Sequence, residues 1–126
     1  MALKPSYNDK LHLPGLSKTE ILILALEASQ KLEWNIEEVT PEGARFEVPF
    51  NMYSHGEEIT FTIEPGSDGE VAVRSQSSSV QFVDYGKNRK NIQKLRETME
   101  EIKTSLTPEE LTQKAKDFEE ECNRPL

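Results

Sequence analysis

The sequence contains few of the residues that build metal centres and disulfide bonds. Its 126 residues include one cysteine, Cys122, and two histidines, His12 and His55. A single cysteine cannot form an intramolecular disulfide, and neither histidine has a second histidine or cysteine at the spacing of a zinc site. We therefore predict neither a metal nor a cofactor, and the lone thiol fits a reducing compartment.

Long apolar runs are also missing. The longest run, residues 21–26, is much shorter than the roughly 18 to 20 apolar residues that cross a membrane. Residues 1–4 lack the apolar region of a secretion signal. We therefore predict a cytoplasmic chain with no transmembrane segment, although the sequence also fits the soluble part of a longer membrane protein.

Positive charge is scarce in this chain. Its 15 Lys and Arg residues face 23 Asp and Glu residues, and the net charge of -8 argues against general nucleic-acid binding. Residues 84–96 are the exception, because they hold five cations and one anion, Asp84, for a local charge of +4. The cations of this basic cluster are Lys87, Arg89, Lys90, Lys94 and Arg96.

Nucleophilic catalysis lacks its usual partners in this sequence. Residues 75–79 are rich in serine, but no G-x-S-x-G turn presents a serine nucleophile and no activating base lies at a recognisable spacing. Trp34 and the phenylalanines fall on inward positions of the predicted elements, which is typical of core residues. We predict no catalytic residue and a protein that is not an enzyme.

Local start signals and apolar periodicity predict a helix followed by strands. Ser17 and Glu20 match a capping box ahead of a broad apolar stripe, which predicts a helix over residues 18–32. From Trp34 onward, apolar residues alternate with polar ones between turn sequences rich in proline and glycine. This pattern predicts a four-stranded antiparallel meander, followed by a serine-rich linker at residues 75–79.

Two further helices are predicted after the strands. A narrow apolar stripe predicts a second helix that opens near Asp84 and runs to Leu106. Thr107 and Glu110 match a second capping box, which starts a third helix. The predicted fold is α+β, with one four-stranded antiparallel sheet, the first two helices on one face of it, and the third helix appended.

The predicted elements divide the chain into three parts. Residues 1–16 are expected to form a flexible N-terminal arm, residues 17–106 a single α+β domain, and residues 107–126 an appended C-terminal helix and tail. Because the first two helices and the sheet are complete without the third helix, we expect the central domain to fold without the last part.

Asp84, Gly86 and Asn88 are predicted to form a structural junction at the start of the second helix. The Asp84 carboxylate can cap the first free N–H groups of the helix, and Gly86 permits an unusual turn. Asn88 lies on the apolar stripe, so its amide needs hydrogen-bond partners. The backbone of the serine-rich loop is the nearest candidate.

The same helix start also offers a candidate anion site. Its N–H groups, together with Lys87, Arg89 and Lys90, can hold a phosphate or a carboxylate. We add Arg74 to this candidate ligand-binding set. Asp84 opposes this interpretation, because its negative charge fills the same position.

An Arg-Ser-x-Ser segment and an Asp-x-Gly-x-Asn-Arg segment lie within residues 74–92. The pattern resembles a bacterial family of small α+β domains of unknown function, and it is similar to soluble segments of bacterial membrane proteins. The resemblance implies a bacterial source and a shared junction at Asp84, Gly86 and Asn88, but no activity. Ser78 stands where the family often carries arginine, so an anion site built on that arginine is not implied here.

The function predicted from these features is a non-enzymatic binding or protein-interaction module with an unidentified protein partner. The alternative is a binder of a small anionic ligand or a lipid headgroup, which would use the basic start of the second helix. We expect no nucleic-acid partner, and association with a membrane protein stays open.

Overall fold

The computed structural model of the protein describes residues 6–49, 56–77 and 86–123. In chain order, the elements in these residues are β1 (Ser6–His12), α1 (Lys18–Lys31), β2 (Asn35–Thr40), β3 (Gly43–Val48), β4 (Glu57–Ile63), β5 (Glu70–Ser77), α2 (Lys87–Ser105) and α3 (Pro108–Asn123). The strands form one antiparallel sheet in the order β1-β5-β4-β3-β2. The predicted α+β class is therefore confirmed. None of the helices in the described ranges has the length and hydropathy that crossing a bilayer requires.

The predicted count of four strands was wrong, because Ser6–His12 forms a fifth strand. β1 pairs antiparallel with β5 over seven residue pairs and forms one edge of the sheet. The segment predicted as a flexible arm, residues 1–16, therefore contains a strand of the sheet. The error has a physical reason: on the inward side of β1, Asp9 stands between Tyr7 and Leu11 and breaks the apolar alternation.

α1 begins at the predicted capping box. The Ser17 hydroxyl accepts a hydrogen bond from the Glu20 backbone N–H at 3.1 Å, and the Glu20 carboxylate accepts one from the Ser17 N–H at 2.8 Å. The helix is apolar around most of its circumference, because it packs against the sheet on one side and against α3 on another. Its buried residues are Ile21, Leu22, Ile23, Leu24, Ala25, Leu26, Ala28 and Ser29.

α2 packs against β1, β5 and α1, on the face of the sheet that α1 also covers. The prediction that both helices share one face is therefore confirmed.

Gly86 is the N-cap residue of α2 and has a φ of 76°, a left-handed conformation that glycine adopts without steric cost. Asp84, the predicted cap, lies outside the described residues. The buried stripe of α2 consists of Asn88, Asn91, Ile92, Leu95, Thr98 and Met99.

α3 packs on α1 and starts at the second predicted capping box. The Thr107 hydroxyl accepts a hydrogen bond from the Glu110 N–H at 3.1 Å, and the Glu110 carboxylate accepts one from the Thr107 N–H at 3.0 Å. The bond from the Thr107 N–H holds the pKa of the Glu110 carboxyl below its usual range. Leu111 and Ala115 are buried, so α3 adds apolar contacts as well as polar ones.

Candidate functional site

A group of polar side chains is buried where the start of α2 meets β4 and β5. None of its members exposes more than 5% of its surface, which is unusual for these residue types unless their hydrogen bonds are satisfied. We call this group the buried polar cluster. It consists of Glu57, Ser75, Ser77, Asn88 and Asn91.

The buried polar cluster continues the inward faces of two apolar elements. Ser75 and Ser77 follow Val71 and Val73 on the inward side of β5, where the burial pattern alternates without interruption. On α2, Asn88 and Asn91 lie on the same buried stripe as the apolar residues that follow them. The core therefore changes from apolar to polar at the N-terminal end of α2.

Hydrogen bonds connect the members of the buried polar cluster in a continuous chain. The Asn91 amide donates to Glu57 Oε1 at 2.9 Å and to the Ser75 hydroxyl at 3.3 Å. The Ser75 hydroxyl donates to Asn88 Oδ1 at 2.7 Å. The Asn88 amide nitrogen then donates to the Ser77 hydroxyl at 3.2 Å. These bonds fix the start of α2 to β4 and β5. Moving the helix away from the strands would leave buried polar groups without partners, which costs free energy.

Asn88 lies at the predicted junction, and its described partners include two side chains that the sequence did not indicate. They are the hydroxyls of Ser75 and Ser77 on β5. The assignment of these two serines to a linker was wrong, because β5 extends to Ser77. Ser75 and Ser77 are separated by one outward residue, Gln76, and continue the alternation that begins with the valines of β5. This alternation could have predicted that the strand extends to Ser77.

Lys87, Arg89 and Lys90 lie together in the first turn of α2. Arg89 and Lys90 are exposed and Lys87 is half-buried. Within the described ranges, none of the three forms an ion pair or a side-chain hydrogen bond. The first turn of α2 also contains no acidic residue. This part of the basic cluster therefore presents its positive charge to solvent.

Arg96 belongs to the same sequence cluster but has a different environment. Its guanidinium lies 2.7 Å from Asp9 Oδ2 on β1, and it also donates to the Lys10 carbonyl at 3.4 Å. The hydrogen bond from Arg96 holds the pKa of the Asp9 carboxyl below its usual range. Arg96 therefore fastens α2 to the edge strand β1.

Arg74 lies on the opposite side of the sheet from the other three candidate ligand-binding residues. Val73 and Ser75, its neighbours on β5, are buried on the helix side, whereas Arg74 is exposed. Side chains that follow each other along a strand point to opposite faces. The structure therefore does not bring Arg74 together with the first turn of α2.

Arg74 instead belongs to a shallow concavity on the sheet face that no described helix covers. In the strand register, Arg74 lies between Asn8 of β1 and Thr60 of β4, and Ala72 lies between Lys10 and Thr62. The concavity has a volume of about 560 Å³. We call it the uncovered trough, and its outward side chains are Asn8, Lys10, Thr60, Thr62, Ala72 and Arg74.

The uncovered trough carries two cations. Lys10 Nζ lies 3.5 Å from Glu64 Oε1 and is well exposed. Arg74 has no ion pair or side-chain hydrogen bond in the described part of the chain. Arg45, which lies on the other side of Thr60 in the register, differs because it contacts Glu38 at 3.2 Å. Lys10 and Arg45 are therefore each paired with a glutamate, whereas the guanidinium of Arg74 has no described side-chain partner.

Sequence reasoning identified Arg74 but missed its neighbours in the uncovered trough. Asn8 and Lys10 lay in the segment predicted as an arm, and the register that brings Thr60 beside Arg74 depends on pairing between distant strands. Histidine, cysteine, aspartate and glutamate side chains do not gather in threes as metal ligands anywhere in residues 6–49, 56–77 and 86–123.

Comparison with protein families gives a match over most of the chain. Residues 6–99 match the model of a family described as a protein of unknown function (DUF1499). The matched segment contains the buried polar cluster and the uncovered trough, whereas α3 lies beyond it. No curated protein matches the chain.

Proposed function

The chain belongs to the DUF1499 family of unknown function, and we propose that it is a non-enzymatic binding module that uses the uncovered trough to contact a protein partner. The observation that carries this proposal is the exposed guanidinium of Arg74 at the centre of a concave sheet face. A bacterial source and a cytoplasmic location stay predictions from the sequence.

The shape and chemistry of the uncovered trough support this function. Antiparallel sheets often leave one face to solvent, so exposure alone does not indicate a binding surface. Binding surfaces are usually concave and carry a few well-placed polar groups. Here the small side chain of Ala72 and the hydroxyl of Thr62 form the floor. Arg74 supplies a charge that no described residue neutralises.

The buried polar cluster supports the proposal from the other side of the sheet. Ser75, which follows Arg74 on β5, is fully buried and bonded to Asn88 and Asn91 of α2. A hydrogen-bonded strand of this kind has little freedom to shift. The backbone that positions the Arg74 side chain is therefore held rigidly, which lowers the entropic cost of binding.

A comparison of three proteins tests this function. Thr62→Trp fills the floor of the uncovered trough, whereas Gln93→Trp adds the same side chain on the exposed side of α2. Quantitative cross-linking from cells should recover a partner with the unmodified chain and with Gln93→Trp, and lose it with Thr62→Trp. Thermal unfolding would confirm that both variants are folded. A set of partners shared equally by all three proteins would contradict the proposal.

A second candidate function is supported by the first turn of α2. Arg89 and Lys90 are exposed without described ion pairs, and the positive end of a helix dipole favours an anion. Anionic lipid vesicles or phosphate at low salt should then bind the protein, and replacing Lys87, Arg89 and Lys90 together by alanine should remove the response. No response from the unmodified protein would exclude this candidate.

A further inference from the structure

We infer that Arg74 binds a carboxylate of an extended acidic segment of a partner protein, with Asn8 and Thr60 beside it. This inference rests on the proposed function of the uncovered trough. It adds the chemical class of the ligand and the residue that recognises it.

The strand register places three complementary donors in one row. Asn8 and Thr60 are the direct cross-strand neighbours of Arg74 on its two sides. Neighbours of this kind have Cβ atoms about 4.5 to 5.5 Å apart. The guanidinium can donate two parallel hydrogen bonds to one carboxylate. An amide and a hydroxyl on either side can donate to the oxygen lone pairs that remain.

The charges around this row favour an anion at Arg74. Lys10, in the next row of the trough, adds a second cation, which Glu64 partly neutralises from 3.5 Å. Asp9 lies in the same strand, but its carboxylate is bound to Arg96 on the helix side. The trough therefore offers a cation without a described ion pair, Arg74, in a chain whose net charge is -8. An acidic segment would be repelled by most of the acidic surface and attracted to this residue.

The shape of the face favours an extended segment over a compact small molecule. A second concavity, on the β3 side, shares Thr60 and Thr62 with the uncovered trough, so a shallow groove continues across β4. That second part is lined by Glu38, Glu42 and Glu58 and by one cation, Arg45, which is paired with Glu38. The net negative charge there restricts the acidic end of a bound segment to the Arg74 end of the groove.

The affinity of a fluorescent triglutamate peptide tests this inference. Fluorescence anisotropy at low salt should detect binding to the unmodified protein, and the affinity should fall as salt is raised. Arg74→Gln should weaken binding roughly tenfold or more, because it removes the bidentate contact. Arg74→Lys should lose less, since the charge is kept and only the fork geometry is lost. Lys116→Gln, the control on the exposed side of α3, should stay within about twofold of the unmodified protein.

Competition experiments and the Thr62→Trp variant separate the possible failures. No binding of the peptide, or equal binding by Arg74→Gln, would overturn the carboxylate assignment. Displacement of the peptide by inorganic phosphate at much lower concentration than acetate would assign the site to phosphate instead. If Thr62→Trp loses the cellular partner while Arg74→Gln retains it, the proposed function holds and this inference fails. If neither variant loses the partner, both fail.

Discussion

The Ser75 hydroxyl of β5 donates a hydrogen bond of 2.7 Å to the side-chain carbonyl of Asn88 on α2, and both residues are completely buried. The residue before Ser75 is Arg74, which faces the other side of the sheet. The contact that fixes the helix to the sheet therefore also fixes the strand that presents the candidate binding residue.

Replacing Asn88 by leucine should destabilise the protein, although leucine matches the apolar stripe of α2. The substitution leaves the Ser75 and Ser77 hydroxyls without their Asn88 partner. Unpaired buried polar groups cost about 1 to 3 kcal/mol each. Chemical denaturation of the two proteins would measure the difference.

Lys90→Leu provides the control for that experiment, because Lys90 is exposed in the same turn of α2. Its denaturation midpoint should stay close to that of the unmodified protein. A midpoint for Asn88→Leu that equals or exceeds the midpoint of Lys90→Leu would contradict the structural role of the buried polar cluster.

Gly69→Ala should be much more destabilising than Gly66→Ala. Both glycines have a positive φ, 77° and 75°, so both substitutions carry a similar backbone strain. Only at Gly69 would the added Cβ collide with backbone, at 2.0 Å from the carbonyl oxygen of Leu13. We expect an additional loss of about 1 to 3 kcal/mol at Gly69, as for other overpacked sites.

Thermal or chemical unfolding of the two glycine variants would check this prediction. It also tests the position of the segment after β1, since Leu13 donates its N–H to the Gly69 carbonyl at 2.8 Å. Equal stability of the two variants would mean that residues near Leu13 do not lie against the β4–β5 turn.

The features that could be predicted from the sequence are local ones. The capping boxes at Ser17 and Thr107 need only neighbouring residues, and both were confirmed. β1 could not be predicted because Asp9 interrupts the apolar residues on its inward side, and Arg96, which pairs with Asp9, lies 87 residues later in the chain. The uncovered trough was missed for a similar reason, since strand register determines its members.

Leu111→Ala should destabilise the whole domain, because Leu111 is 4% exposed and belongs to the main core. Replacing a buried leucine by alanine usually costs about 2 to 5 kcal/mol. Lys116→Ala, on the exposed side of α3, should change the unfolding free energy by less than about 0.5 kcal/mol. Similar unfolding free energies for the two variants would show that α3 does not pack on α1.

Truncation after Leu106 tests the predicted boundary of the central domain. The shortened chain keeps the sheet, α1 and α2, so we expect it to stay folded but to be less stable than the full chain. The NMR shift dispersion of strand residues such as Phe61 would report on the sheet. Loss of that dispersion would mean that the core requires α3.

The ion pair between Asp9 and Arg96 should make stability depend on pH in the acid range. The pKa of Asp9 is lowered in the folded state, so its contribution is complete above the unfolded pKa of about 3.9 and is lost as pH falls through the folded value. The contribution should be below about 1 kcal/mol, because both side chains are more than a third exposed to solvent.

Unfolding at several pH values would measure this contribution. The stability difference between the unmodified protein and Asp9→Asn should shrink as the pH is lowered below about 4. Arg96→Gln should remove most of the same dependence, whereas Lys94→Gln, which changes an exposed side chain on α2, should preserve it. A difference that stays constant over this range would contradict the lowered pKa.

The most direct test of the proposed binding surface is an NMR map of the backbone amides during titration with the triglutamate peptide. We expect shift changes at Asn8, Thr60 and Arg74. At higher salt the same amides should shift, but more peptide should be needed to reach saturation. Amides at the start of α2, residues 87–94, should stay near their starting positions. Changes confined to residues 87–94, or no change on the sheet, would contradict the assignment of the uncovered trough as the binding surface.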